Sequence, residues 1–358
     1  MIRANRVMNR ENAKMHGPEQ LETKEAEATK ANLSSLAYHG GNLDMAAQLF
    51  PDAPKPWIDL STGINSSAYP LGEIRPQSWS RLPLAGDIAR LERASAMAFN
   101  TKATVVAAPG TQALIQLLPR MIDAKTVGIL GFTYGEYARV WGEAGVLVVQ
   151  VDTLAQLADF DLAIIVNPNN PDGRLVELEE LLILADRLQR KGGYLLIDEA
   201  FMDFTPQNSF ATNLPKNALI LRSFGKSYGL AGIRLGFVLV NSTLAQKFRS
   251  SLGPWAVSGP AIEIATRAYL DPLWLVTEAG RLHAARLALE QALTSVGFSI
   301  LGGTHLFILA GHEAAQDWFN RLAARGILTR PFSNHPTWLR FGVPSEEDWP
   351  RVQSALQE

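Results

Sequence analysis

Between residues 105 and 240 the chain alternates between two hydrophobic periods. Continuous apolar runs at 105–108, 126–130, 146–151, 162–166, 194–197, 218–221 and 237–240 are short and have no polar alternation, as strands buried on both faces do. Among them lie stretches with apolar residues at helical spacing, at 87–99, 113–121, 134–144 and 177–189. Strand and helix in alternation, with continuously apolar strands, predict an α/β fold on a mostly parallel sheet. After 252 the pattern changes. Helical periodicity over 260–270 and 273–296 precedes short strands at 305–310, 327–330 and 338–341, a helix at 314–325 and a terminal helix from Ser345, which predicts a small α+β domain.

Ahead of the sheet, 43–50 reads as a short helix and 57–60 as a strand. Residues 1–37 carry few large apolar side chains and interleave Glu19, Glu22, Glu25 and Glu27 with Lys14, Lys24 and Lys30. Such a stretch cannot bury a core, so a mobile tail is expected. The expected organisation is therefore a tail over 1–37, an arm over 38–72 that contributes to the small domain and the site, a large domain over 73–252 and a small domain over 253–358.

Composition narrows the partners. With 47% hydrophobic and 19% charged residues and a formal charge of −2, the 358-residue chain lacks the basic excess of a nucleic-acid binder. No apolar run is long enough to span a bilayer and the amino terminus lacks the apolar core of a signal peptide, so no membrane partner and a cytoplasmic location are expected. The absence of cysteine removes disulfides, thiolate nucleophiles and thiolate metal ligands. A nucleophile must then be Lys, Ser, Thr or a carboxylate, and no metal site is expected.

Ligands of parallel sheets sit at the carboxyl ends of the strands, where the chemical residues of this chain fall. Pro109-Gly110-Thr111-Gln112 follows one strand and opens a helix, which offers free amides and the positive end of a dipole to a phosphate; it is also an ordinary strand-turn-helix. Asn167-Pro168-Asn169-Asn170-Pro171-Asp172-Gly173 follows another, with prolines fixing the backbone that aims the asparagine amides. Asp198 ends a third, and a carboxylate on a buried strand needs a cationic partner. Ser223-Phe224-Gly225-Lys226 places a lysine on a glycine-rich loop between two strands, with Arg234 eight residues on. Together these suit a lysine amine that forms a Schiff base with an aldehyde cofactor, a serine and an arginine on the cofactor's phosphate, and a carboxylate facing its pyridinium nitrogen.

Weaker signals lie outside this set. His39-Gly40-Gly41-Asn42 either brings backbone amides to an anion or simply turns the chain. Arg330 and Arg340, in or beside short strands, are either surface charges or receptors for anionic groups of a substrate. Ser223 and Lys226 also spell Ser-x-x-Lys, but the Ser-Asp-Asn and Lys-Thr-Gly that a serine acylase needs are absent, as is the Gly-x-Gly-x-x-Gly of a dinucleotide enzyme.

With these residues in hand, the chain from Tyr38 onward resembles the fold-type I pyridoxal-phosphate enzymes of the class I/II aminotransferase family. The resemblance rests on Asn167 to Gly173, on Asp198-Glu199-Ala200-Phe201, and on Ser223-Phe224-Gly225-Lys226 with Arg234, in family order and spacing. It implies pyridoxal 5'-phosphate as cofactor, carried by Lys226, with Asp198 at the ring nitrogen, Asn170 at the ring hydroxyl and Tyr134 stacked on the ring. Gly110, Thr111, Ser223 and Arg234 are implied at the phosphate, with Gln112 beside them. A homodimer with active sites near its interface is implied as well. Within the family, His39-Gly40-Gly41-Asn42, Asp59-Leu60-Ser61-Thr62-Gly63-Ile64-Asn65 and Arg222 to Lys226 are similar to the threonine-phosphate decarboxylase branch of cobalamin biosynthesis, with histidinol-phosphate aminotransferase the alternative. Phe201 and Leu82 stand where the aminotransferase pattern has tyrosines. The expected partner is thus a small phosphorylated amino acid, with His39, Gly40, Gly41, Asn42, Gly63, Ile64, Asn65, Arg330 and Arg340 as its candidate contacts.

Overall fold

Three sheets carry the chain in the computed structural model, which describes residues 40–357. The expected tail and His39 lie outside the described residues. The first strand, β1 (Ile58–Asp59), is set apart from the central sheet, which takes the next seven: β2 (Thr104–Ala108), β3 (Thr126–Leu130), β4 (Leu147–Val151), β5 (Leu162–Val166), β6 (Tyr194–Asp198), β7 (Ala218–Ser223) and β8 (Gly236–Val240). Their spatial order is β2-β8-β7-β6-β5-β3-β4. β8 runs against its neighbours β2 and β7, and the other pairings are parallel. The expected mostly parallel sheet is therefore the observed one.

The side-chain alternation of a strand explains why these runs must be apolar throughout. Ala163, Ile165, Leu195 and Ile197 face one layer, where helix Leu178–Arg190 contributes Leu181, Leu184, Ala185 and Leu188. Leu162, Ile164, Val166 and Leu196 face the other, against Leu114, Ile115 and Leu118 of helix Thr111–Met121. Each of these leucines contributes about 1.5–3 kcal/mol by leaving water.

The remaining strands are β9 (Ser299–Gly303), β10 (Phe307–Gly311), β11 (Ile327–Leu328), β12 (Arg330–Pro331) and β13 (Trp338–Gly342). An antiparallel sheet has the order β12-β13-β10-β9, and β11 pairs in parallel with β1. Helices Pro272–Ser295 and Ala315–Ala324 pack on it through Leu289, Leu293, Phe319 and Leu322.

Helices Pro76–Ser80 and Leu154–Leu157 are short additions to the expected elements, and four further features differ from the pattern reading. β9, with Gly302 and Gly303 at its end, is not among the expected strands. The backbones of these glycines lie so close to neighbours that a Cβ would stand 2.1 Å from the Asp172 carbonyl oxygen and 2.3 Å from that of Phe307. The single strand expected at 327–330 divides at Thr329 into β11 and β12, which join different sheets. Helix Ser242–Leu252 was also missed; the Asn241 side chain caps it by accepting from the Leu244 N–H at 3.0 Å. Finally, Lys226 sits on a single helical turn, Phe224–Ser227, rather than on an open loop. Gly225 permits this turn, since a Cβ there would meet the Ala231 Cα at 2.6 Å.

Candidate active site

A cavity of about 430 Å³ lies where the carboxyl ends of the central strands meet β12 and β13. After β2 come Thr111 and Gln112; after β3, Tyr134; after β5, Asn170; at the end of β6, Asp198, with Phe201 beyond it; at the end of β7, Ser223, with Lys226 beyond it. Arg330 and Arg340 close it from the antiparallel sheet, and Gly40, Ser61, Thr62 and Gly63 from the arm. Residues up to 300 positions apart thus line one cavity.

Asp198 is 5% exposed. Its Oδ2 accepts the Tyr137 hydroxyl at 2.7 Å and its Oδ1 the Ala200 N–H at 3.0 Å. Burial pushes its pKa up, while these two hydrogen bonds and the nearby Lys226 charge oppose the shift without cancelling it. Lys226 is perturbed in the sense that favours its neutral amine. Burial first, then the guanidiniums of Arg340 and Arg330, bring it down to about 8 against the attraction of Asp198. The ammonium nitrogen stands 5.8 Å from the centroid of the Phe201 ring, the side chain found where a tyrosine was the family expectation.

Arg340 has neutral partners. Its Nη1 donates to Asn170 Oδ1 and its Nη2 to the Ser61 carbonyl, both at 2.6 Å, while its Nε is buried without a partner. Burial, reinforced by Arg330, pulls its pKa well below the ordinary value against the attraction of Asp59, and its hydrogen-bond partners are both neutral. Since Arg340 occupies the carbonyl oxygen of Asn170, the NH₂ of that amide is the end left to a ligand. The preceding asparagines are structural: Asn167 Oδ1 accepts the Val176 N–H at 2.8 Å, and Asn169 Nδ2 donates to Asp172 Oδ1 at 2.8 Å.

Gly110, Thr111 and Arg234 form a second cationic corner. Gly110 has φ +90°, and a Cβ there would stand 2.9 Å from Arg234 Nη2. Arg234 is itself in the left-handed region at φ 53°, held by donation from its Nη1 to the Ala231 carbonyl at 3.0 Å. The Gln112 amide donates to Glu136, and its oxygen accepts the Tyr134 hydroxyl at 3.2 Å, so Gln112 fixes the tyrosine rather than pointing freely at a ligand.

Not every expected contact comes to the cavity. Gly41 donates its N–H to Ser61 Oγ at 2.7 Å, and Asn42 caps helix Leu43–Leu49 by accepting from the Met45 N–H at 3.2 Å. Ile64 is absent from the lining and Asn65 is buried behind it. Asn65 donates its N–H to the Lys226 carbonyl and its Nδ2 to the Ser227 carbonyl, both at 2.9 Å, and its Oδ1 accepts Arg281 Nη2 at 3.1 Å. The pattern reading missed Tyr137 and the Ser61 carbonyl. A tyrosine on an apolar helix face looks like core, and a backbone acceptor leaves no signal in the sequence.

The fold and the lysine-centred cavity define a class, and the chain belongs to the aminotransferase class I and II family, whose model matches residues 84–356. It is 43% identical over 316 residues to threonine-phosphate decarboxylase from Sinorhizobium sp., covering 87% of this chain and 94% of that one. The same identity holds over 324 residues with threonine-phosphate decarboxylase from Pseudomonas aeruginosa, covering 89% and 96%. Histidinol-phosphate aminotransferase from Sinorhizobium meliloti in complex with pyridoxal-5'-phosphate has the same fold, with a TM-score of 0.79 at 19% identity over 88% of this chain and 93% of that one.

The residues present fit that cofactor. The Gly110 cradle that a Cβ would fill, beside Arg234 and the start of helix Thr111–Met121, suits its phosphate. Asp198 suits a protonated ring nitrogen, Asn170 the ring hydroxyl and the Lys226 amine the aldehyde.

Proposed function

We propose that this protein holds pyridoxal 5'-phosphate on Lys226 and decarboxylates L-threonine O-3-phosphate to (R)-1-aminopropan-2-ol O-phosphate, a step of cobalamin biosynthesis. The observation that carries the reading is Arg340: a buried guanidinium with neutral partners, in the cavity of a lysine with a lowered pKa, is a receptor for a substrate carboxylate. The two threonine-phosphate decarboxylases that the chain matches over most of its length support it.

When bound, the cofactor supplies an aldehyde for the substrate amine and a ring that draws off the electron pair of the breaking α-carbon bond. Lys226, with a pKa near 8, exists partly as the free amine near neutral pH and so can both attack a carbonyl and hold a transferable proton. Asp198 presents a carboxylate to the ring nitrogen. Arg340 would grip the substrate carboxylate and so fix which bond of the α-carbon is presented for cleavage. Carbon dioxide leaves, and Nζ of Lys226 delivers a proton to the α-carbon. Arg330 and the Gly40 turn receive the substrate phosphate. Histidinol phosphate lacks a carboxylate, so a site organised by Arg340 leaves that buried charge without its partner and disfavours it by roughly 2–5 kcal/mol.

We also propose a cytoplasmic homodimer, with an arm over 38–72, a large domain over 73–252 and a small domain over 253–358. Pairing of β1 with β11 supports the arm's tie to the small domain. Trp79, Leu82 and Leu84 are 68%, 62% and 69% exposed beside helix Gly259–Tyr269, an apolar surface that a second copy would cover. None of the helices of the described residues is long and apolar enough to cross a membrane.

The test is incubation of purified, cofactor-loaded protein with L-threonine O-3-phosphate. Release of carbon dioxide with aminopropanol phosphate is the expected result. If none is released while the amine of histidinol phosphate passes to 2-oxoglutarate, the reading is wrong.

A further inference from the structure

Behind the Asp198 carboxylate, on the side away from the cavity, stands a residue that the reaction as described does not use. Tyr137 lies in the first turn of helix Glu136–Glu143 and is fully buried. Its hydroxyl donates to Asp198 Oδ2 at 2.7 Å, and the Tyr134 ring stands edge-on to it with centroids 6.3 Å apart. The other carboxylate oxygen takes the Ala200 N–H at 3.0 Å, and that bond belongs to the backbone. The Tyr137 hydroxyl is thus the side-chain donor that sets the rotation of the Asp198 carboxylate. It can act only as a donor there, because burial and the Asp198 charge push its own ionisation well above the ordinary range.

We propose that Tyr137 is a positioning residue for cofactor binding: its hydroxyl fixes the orientation of the Asp198 carboxylate and supplies the hydrogen bond that keeps the carboxylate charged toward a protonated ring nitrogen. The proposal rests on the cofactor reading above. A buried carboxylate that loses one of two donors takes up a proton more readily, and a protonated Asp198 no longer pairs with a pyridinium. A packing role for Tyr137 makes no such distinction between ligands, since it depends on shape alone.

The two roles separate when cofactor-free protein is titrated with pyridoxal 5'-phosphate and with its 1-deaza analogue, which has the same shape and a C–H in place of the ring nitrogen. Dissociation constants are read by quenching of tryptophan fluorescence. Tyr137→Phe is expected to weaken pyridoxal 5'-phosphate by about 10- to 100-fold, the range for a hydrogen bond to a charged group. The deaza analogue should lose less than about 3-fold, which also reports that the variant's site is intact. In an Asp198→Asn background the same substitution should cost pyridoxal 5'-phosphate nothing further. Equal losses for the two ligands, a loss that persists in the Asp198→Asn background, or full retention of pyridoxal 5'-phosphate by Tyr137→Phe would each overturn the positioning role. Failure of the unmutated protein to bind pyridoxal 5'-phosphate would instead overturn the cofactor reading.

Discussion

Asp198 and Glu199 are neighbours at the end of one strand, both nearly inaccessible, and they meet opposite fates. Alternation along the strand turns Asp198 into the cavity and Glu199 into the core. Glu199 meets a full cation: Arg222 Nη1 lies 2.9 Å away, with the Ser209 hydroxyl and the Phe210 N–H donating at 2.7 Å each. Arg222 also bonds Asp203 and stacks 4.4 Å over the Phe99 ring. Asp198 has only neutral donors, Tyr137 and Ala200. Burial pushes both carboxylates up, but the largest opposing influence is Arg222 for Glu199 and a hydroxyl for Asp198. Burial alone therefore does not mark a functional carboxylate. What distinguishes Asp198 is that the fold supplies hydrogen bonds and leaves the counter-charge to a ligand.

Exchange of roles gives the sharpest ways to break this contrast. Asp198→Ala should lower turnover by orders of magnitude while costing the cofactor-free protein about 1–3 kcal/mol, because it leaves the Tyr137 hydroxyl and the Ala200 N–H without their acceptor but breaks no ion pair; steady-state rates and urea unfolding check the two halves. Glu199→Ala should do the reverse, costing about 3–5 kcal/mol of stability by stranding Arg222, with turnover per folded molecule nearly kept. Lys226 tests the cationic side. Its pKa in the folded chain, about 8, lies below the ordinary 10.5. Below pH 8 both folded and unfolded chains carry the proton and the folded one bears the full cost of burying it. Between about 8 and 10.5 only the unfolded chain keeps it, so the cofactor-free protein should gain up to about 3 kcal/mol as pH rises. Denaturant titrations across that range should show the gain, and Lys226→Met should flatten it. The smallest effect is expected of Ser209→Ala, about 1.5–3 kcal/mol in stability, the range for a hydrogen bond to a charged group, and none in rate.

The central sheet was legible because its inner strands are buried on both faces and so are apolar over most of their length, a pattern with few alternatives. The antiparallel sheet was less so: β9 contains the glycines that close approach to Asp172 and Phe307 demands, and the break at Thr329 depends on which neighbour each half meets. The same division runs through the site. Lys226, Asp198, Asn170 and Arg234 line one cavity near the strand ends where the chain's chemical residues fall, and Arg340, which the sequence left open as a surface charge or an anion receptor, lines it too. Asn42 is a candidate substrate contact through the paired glycines before it and Asn65 through the resemblance of the stretch from Asp59, yet the side chain of one caps a helix and that of the other binds a backbone carbonyl. Polar side chains serve the backbone and a ligand with the same atoms, so the residue type could not separate the two.

The bonds of Asn65 tie together parts that sequence distance keeps far apart. Through its amide and side chain it joins the Lys226 turn to Arg281, which is held in turn by Glu278 on helix Pro272–Ser295. In mechanical terms this is a strut from the long helix to the lysine turn, and its two backbone-directed bonds are buried. Slow hydrogen exchange of the Asn65 amide is therefore expected.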